Sequence, residues 1–483
     1  MYIGLDIGTS SVKAILLSED QSLVASATAD LTVERPHPGW SEQDPDSWWA
    51  ACETVLDALK DKAPKELAAV KGIGLSGHMH GATLLDDAGK PLRPCILWND
   101  GRSGKQCAEL SAVEPKFMTL GGNLVMPGFT APKLQWVREN EPEIFARTAM
   151  VLLPKDYVRF KLTGDYVGDM SDSAGTLWMD VAKREWCDDL LDATGLTRKQ
   201  MPRLVEGSES SGSLRADLCA RWGIDTPPVI AGGGGDNAAS ACGVGAIDPG
   251  SAFVSLGTSG VLFVTNDRFS PNVEGAVHAF CHAVPDTWHQ MGVILSATDC
   301  LNWLSGILKR APGELTEALG TVTGPSSVSF LPYLGGERTP HNDVDIRAGF
   351  AGISHQSDDA ALTHAVLDGV AFALKDCLDA LSVAGTRVDR LLAVGGGSRS
   401  RTWLEIIASL LNVPVDVPVD GDFGASLGAA RLGQAAAEQT TNGIFTRPEL
   451  KMSIDPVPAL TERYAEAFGR WRQLYPAFKQ AGF

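Results

Sequence analysis

The chain has 483 residues, more than one ordinary hydrophobic core organises, so two domains are the default expectation. Its composition, 44% apolar and 21% charged with no low-complexity tract, is that of a soluble globular protein rather than a disordered one. The net charge of -18 argues against a nucleic-acid binder, which needs clustered Lys and Arg, yet it allows an anionic ligand held by backbone amides and a bound cation.

Met1-Tyr-Ile-Gly-Leu-Asp6 alternates as a strand from the first residue, so no signal peptide is expected, and no apolar run approaches the ~20 residues that span a bilayer. Nine cysteines, scattered singly from Cys52 to Cys377 with no CxxC pair, fit reduced thiols in a cytoplasm better than disulfides or zinc.

The first strand places Met1, Ile3, Leu5 and Ile7 on one face and Tyr2, Gly4 and Asp6 on the other, and a second strand follows from Val12 to Leu17. The tight turn between them carries Thr9, Ser10 and Ser11, with Lys13 just beyond. Turn hydroxyls and amides of this kind suit phosphate oxygens. Asp6 beside the turn is either a surface acid of a plain hairpin or an acid that helps hold Mg²⁺ against nucleotide phosphates. Past the middle, Leu256-Gly257-Thr258-Ser259-Gly-Val261 repeats the pattern between apolar segments, with Ser255 where Asp6 stood. The echo suggests a duplicated fold with phosphate between its halves, and a metal carboxylate from the first copy only.

Between the two turns, His37-Pro-Gly-Trp-Ser-Glu-Gln-Asp44-Pro reads as a loop, and Trp48, Trp49, Cys52, Val55, Leu56 and Leu59 as the core stripe of a helix. A strand from Val70 to Leu75 runs into Ser76-Gly-His78-Met79-His80-Gly. Two histidines two apart on a strand point the same way, so a metal pair is conceivable. No acid or cysteine accompanies them at ligand spacing, and a His/Met patch suits a small polyol better. Trp98-Asn99-Asp100-Gly-Arg102 puts polar groups at a strand end, where sugar contact and structural salt bridge are equally open. A helix is expected through Trp136, Val137 and Asn140, and the loops around Asp156 and from Asp169 to Thr176 are left without a role.

Val229-Ile-Ala leads into Gly232-Gly-Gly-Gly-Asp236-Asn237 and a small-residue helix. Asp236 caps that helix, with its pKa lowered accordingly, and is the candidate base that accepts a hydroxyl proton in phosphoryl transfer. The four glycines are read as clearing side chains where substrate approaches the backbone. Leu391-Leu-Ala-Val394 followed by Gly395-Gly396-Gly397-Ser398 is a strand, glycine turn and helix, which brings backbone to a flat ligand without being a P-loop. Val413 to Val419 alternates as a strand, Gly421 to Ala430 opens a small-residue helix suited to close packing between domains, and the tail after about residue 440 is loop and closing helix.

The order of DIGTSS, GGGGDN, SLGTSG, AVGGGSRS and ASLGAA resembles the actin-like ATPase superfamily and, within it, the FGGY family of carbohydrate kinases. One family signature is met from Gly128 to Asn140, with Lys133 and Trp136 in place. A second runs from Ala348 to Asp368, with Ala361 where a polar residue is usual. RPHPGWSEQDP, HMHGATLLD, ILWNDGR, LLPKDYVRFKLTG and GERTPH are similar to the family members that phosphorylate D-xylulose. The resemblance implies an α/β protein of two ribonuclease-H-like (actin/hexokinase-type) domains, residues 1–245 and 246–483, each a mixed sheet flanked by helices, with a cleft between them. It implies ATP-dependent, Mg²⁺-assisted phosphorylation of D-xylulose to D-xylulose 5-phosphate. Met79, His80, Trp98, Asn99, Asp100, Asp236 and Asn237 then face sugar, Asp236 is the proton acceptor, and Asp6 and Asp236 are the metal-linked acids. Thr9, Ser10, Ser11, Lys13, Gly257, Thr258, Ser259 and Gly395 to Ser398 face ATP. Ribulose or another small sugar is the alternative substrate, an actin- or chaperone-like ATPase the alternative class, and monomer and homodimer stay open.

Overall fold

The computed structural model describes residues 1–419 and 424–483; the expected helix start at Gly421 lies outside them. In the first half seven strands form one sheet: β1 (Tyr2–Ile7), β2 (Ser11–Leu17), β3 (Leu23–Asp30), β4 (Gly72–Gly77), β5 (Ser210–Ser213), β6 (Val229–Ala231) and β7 (Gly234–Gly235). Their order is β5-β6-β4-β1-β2-β3, with β7 continuing beside the end of β4. The second half builds another seven-stranded sheet from β8 (Ser251–Leu256), β9 (Gly260–Asn266), β10 (His278–Cys281), β11 (Trp288–Ile294), β12 (Arg390–Val394), β13 (Val415–Pro418) and β14 (Leu450–Ile454), in the order β10-β11-β9-β8-β12-β13-β14. In both, the opening strand pairs antiparallel with the next and parallel with a later one: β1 with β2 and β4, β8 with β9 and β12. The repeated turn in the sequence is thus the visible part of a repeated sheet. β3 and β14 had no sequence counterpart, because each is an edge strand of mixed exposure.

The apolar face of β1 rests on α1 (Pro45–Lys62), whose Trp48, Cys52, Val55, Leu56 and Leu59 are buried at helical spacing behind an Asp44 N-cap. Its other face is covered too, except at Asp6, which is half-buried. Gly4 and Gly74 leave room there for a helix to lie directly on the sheet: a Cβ on Gly74 would stand 1.8 Å from the carbonyl oxygen of Ala429, and one on Gly4 1.9 Å from that of Ser426. After α2 (Asp236–Gly243) come α3 (Asp359–Val383) and α4 (Arg401–Leu411), which cover the second sheet, and α5 (Gly424–Glu438), the small-residue helix. α5 crosses back: it packs on β1, β4 and α2 of the first half, and Tyr2 Oη donates to Glu438 Oε1 at 2.6 Å.

A further buried cluster is shared by both halves. It joins Met79, Phe129 and Trp178 to Phe253, Phe263, Phe280 and Met291 beneath the cleft. All nine cysteines are free, and no helix among the described residues is long and apolar enough to cross a membrane.

Candidate active site

The first turn closes tightly, with the Gly8 amide donating to the Ser11 carbonyl at 3.0 Å. Asp6 sits on β1 between its register partners Lys13 on β2 and Ser76 on β4. Burial pushes its carboxyl above the ordinary range, while the Ser76 hydroxyl and the Lys13 charge pull the other way. The Thr9 hydroxyl accepts from the Trp98 indole at 3.1 Å, and Ser10 is exposed at the tip. Across the cleft the second turn is braced by the next helix: Ala297 N donates to Thr258 O at 2.7 Å, and Thr298 Oγ1 to Gly257 O at 2.7 Å. Thr258 and Ser259 remain exposed. Gly395, at φ 86°, passes so near this turn that a Cβ there would meet the Leu256 carbonyl at 2.8 Å. Gly396 and Gly397 form one wall of an open pocket of about 620 Å³ beside the turn, lined also by Thr298, Asn302, Gly313, Arg399 and Trp403. That volume suits a nucleoside.

Asp236 opens α2, and here the structure corrects two expectations. The N-cap is Gly235, so Asp236 is the first helical residue and makes no capping bond. Its Oδ1 accepts from the backbone and side-chain nitrogens of Asn237, at 2.7 and 2.9 Å. The carboxyl pKa rises, to about 6, first because of burial and further because Asp6 is close; the Asn237 donors only moderate it. The preceding glycines also have another reason. Gly233, at φ 73°, would place a Cβ 2.2 Å from the Leu75 carbonyl, and Gly235 one 2.8 Å from Met79 Cγ. The protein's own packing demands them.

Met79 and His80 lie just past the end of β4, which stops at Gly77, so the two histidines do not share a face. His78 turns under Trp48, 5.5 Å between ring centroids, whereas His80, at φ 69°, turns to Phe129 at 4.7 Å. His80 Nδ1 donates to the Gly175 carbonyl at 2.7 Å, which leaves Nε2 an acceptor. Among the described residues no three His, Cys, Asp or Glu side chains gather as a metal site.

Asp100 is not free to face sugar. It is buried, and its oxygens take the Ser41 amide at 2.6 Å and the Arg102 guanidinium at 2.7 Å. Arg102 also pairs with Glu42 at 2.6 Å and lies over the Trp40 ring at 3.6 Å. Of the two open readings of this strand end, the salt bridge is the one the side chains adopt. Trp98, 46% exposed, and Asn99 remain at the surface.

The model of the FGGY family N-terminal domain matches residues 1–243, and that of its C-terminal domain residues 252–437. The chain belongs to the FGGY family of carbohydrate kinases. It is 48% identical to a xylulose kinase of Escherichia coli strain K12, with 99% of each chain covered. It is 47% identical to a xylulose kinase of Klebsiella pneumoniae over 95% of this chain and 93% of that one. Among solved structures, a xyloylose kinase from Brucella ovis superposes with a TM-score of 0.98 at 57% identity, covering 99% of each chain. The xylulose kinase from Rhodospirillum rubrum superposes with 0.91 at 30% identity, again with 99% of each covered.

As an FGGY kinase the protein uses ATP. The cleft holds residues that pattern reading did not find. Thr298 and Asn302, one turn apart on the helix Thr298–Leu308, meet Arg399 of the glycine turn only in the fold. The stretches expected as loops are instead helical at Pro154–Thr163 and Met170–Ala174 and carry a buried ion cluster: Lys155 pairs with Asp156 at 2.6 Å, Asp169 at 2.5 Å and Asp172 at 3.0 Å. Arg159 joins Asp156 and donates to the Gly232 carbonyl, and Ser171 Oγ accepts the Gly235 amide at 3.1 Å. The cluster thereby grips both ends of the glycine run before Asp236. Lys155, Asp156 and Arg159 stand in the LLPKDYVRFKLTG stretch, but no spacing pattern ties them to Asp169 and Asp172.

Proposed function

We propose that the chain transfers the γ-phosphoryl group of ATP to the terminal hydroxyl of D-xylulose, giving D-xylulose 5-phosphate, with Asp236 as general base. The observation that carries this reading is Asp236 itself: a carboxyl lifted to about 6, adjoining Met79 through Gly235 and sharing the field of Asp6. A base with a pKa just below the working pH is ionised, yet basic enough to take a proton as a loose transition state forms. The GTS turns at 8–10 and 257–259 offer amides and hydroxyls to phosphate oxygens from both sides, and the cavity beside Gly396 accepts the nucleoside. Met79, His80 and Asn237 face the sugar, and Trp98 and Asn99 stand at the rim.

The donor set also fits Mg²⁺. Asp6 is a hard oxygen ligand whose burial an adjacent cation would relieve, and Asp236 lies in the same field. So few protein oxygens suit an ion that keeps its remaining positions for water and phosphate. When bound, it supplies positive charge to the β- and γ-phosphates. Asp6 holds its side of the site, Lys13 offsets the charge of Asp6, and closure of the two halves excludes water that would otherwise accept the phosphoryl group.

The test is ADP release coupled to a reporter, over D-xylulose, D-ribulose and related pentoses and pentitols. D-Xylulose should give the highest kcat/KM. Release that no sugar stimulates would refute the reading, and a higher value for D-ribulose would replace its substrate.

A further inference from the structure

We propose that Arg338, carried by the second half of the chain, selects a ketose by donating hydrogen bonds to the sugar's carbonyl oxygen. The inference rests on the D-xylulose reading above and adds a specificity residue to it.

Buried Asn123 fixes the chemistry of this corner. Its amide nitrogen donates to the carbonyls of Gly121 at 2.8 Å and Ala279 at 2.9 Å, which uses both protons. Its Oδ1 is therefore an acceptor, taking the Ala279 amide at 3.3 Å and His278 Nδ1–H at 3.0 Å. With its single proton on Nδ1, a neutral His278 presents a lone pair at Nε2, and Arg338 Nη1 donates to it at 3.3 Å. Burial and the guanidinium itself hold His278 well below its ordinary pKa, so the ring stays neutral.

A neutral imidazole orients a guanidinium without cancelling its charge. Glu337 makes no ion pair with it: Glu337 Oε1 accepts the amides of Leu295 at 3.0 Å and Arg338 at 2.7 Å, and burial lifts the carboxyl to about 8. Among the described residues no carboxylate stands within ion-pair distance of Arg338, although the side chain is largely desolvated. A desolvated cation with donors to spare is a recognition group.

It borders the candidate sugar pocket. Phe129 lies 5.6 Å from His278, 4.7 Å from His80 and 6.1 Å from Phe280, one aromatic wall built from both halves. The Arg338 charge is felt at His80. Around that wall, Asp236 and His80 Nε2 are acceptors, which sugar hydroxyls can supply with protons. A carbonyl oxygen has none to give, and an all-donor guanidinium is its match.

The experiment compares D-xylulose with xylitol, which differs in bearing a hydroxyl in place of that carbonyl. In Arg338→Met the KM for D-xylulose should rise about 10- to 100-fold, the loss of a charged hydrogen bond, with kcat affected less. The inhibition constant of xylitol and the KM for ATP should be unchanged, and Arg338→Lys should recover part of the loss. An equal rise for D-xylulose and xylitol, or none for D-xylulose, overturns the role of Arg338 alone. A wild-type enzyme that does not phosphorylate D-xylulose overturns the substrate reading and this inference with it. If Arg338→Met fails to fold, as a thermal melt would reveal, Arg338→Lys decides: discrimination equal to wild type overturns the proposal.

Discussion

Replacing Asp236 by asparagine separates what this residue does for chemistry from what it costs the fold. Its carboxyl pKa stands at about 6 instead of 3.8, so the folded chain keeps a proton that the unfolded chain gives up between about pH 4 and 6. Over that window the folded state binds more protons, and stability falls as pH rises; above about 6 the full penalty of burying the charge beside Asp6 is in place. At about 1.36 kcal/mol per pKa unit the penalty is about 3 kcal/mol. Asp236→Asn keeps the shape and an acceptor for the Asn237 donors, so it should gain about that much at pH 8. For a chain of 483 residues the gain is about 3 °C in Tm, and it should shrink toward zero below about pH 4. Turnover should fall about 10²–10⁴-fold with ATP binding intact. Thermal melts of both proteins from pH 4 to 8, with a coupled ADP assay, measure all of this. An asparagine variant that melts no higher than wild type at pH 8, or whose gain persists at pH 4, would refute the burial argument.

Two more outcomes follow from the same electrostatics. The acid limb of kcat/KM for the sugar should break near pH 6, because the free enzyme's base must be ionised; a flat profile down to pH 5 would remove Asp236 from that role. Asp100→Asn should leave the sugar KM unchanged and cost about 3 kcal/mol in urea unfolding, since it strips Arg102 of one buried partner. A raised KM without loss of stability would restore Asp100 to the sugar site.

What the sequence disclosed was local. Both GTS turns, the glycine run before Asp236 and the helix behind Trp48 are short patterns whose chemistry is written in consecutive residues, and they could be placed before any fold was known. The pKa of Asp236 was misjudged because capping is a local effect and burial is not: the cap fell to Gly235, and the approach of Asp6 is set by the sheet. His78 and His80 parted because the strand ended at Gly77, a boundary that periodicity does not mark to the residue. The partners of Asp100, the Lys155 cluster and the Asn123–His278–Arg338 chain join residues far apart in sequence, and no spacing rule reaches them.

The helix Gly424–Glu438 carries the strongest consequence for domain organisation. A division near residue 245 gives each half its own sheet, yet this helix, from the second half by sequence, completes the first. Gly74 and Gly4 let its backbone touch the sheet, and a Cβ on Gly428 would fall 1.7 Å from the Ala239 carbonyl, so the same intimacy extends to α2. Leu432, Ala435 and Ala436 bury Ala231, Ala238 and Cys242, and Ala430 covers Ile15 and Leu17. A fragment of residues 1–245 therefore leaves a glycine-floored groove and these apolar side chains in water, with no side chains of its own to fill it. It should lack a cooperative thermal transition and bind a hydrophobic dye. The same fragment joined by a flexible linker to residues 424–439 should melt cooperatively, because the fusion restores the missing layer without any other part of the second half. Equal, sharp melting of both fragments would show that the first sheet closes without the helix, and that the division at 245 is structural as well as sequential.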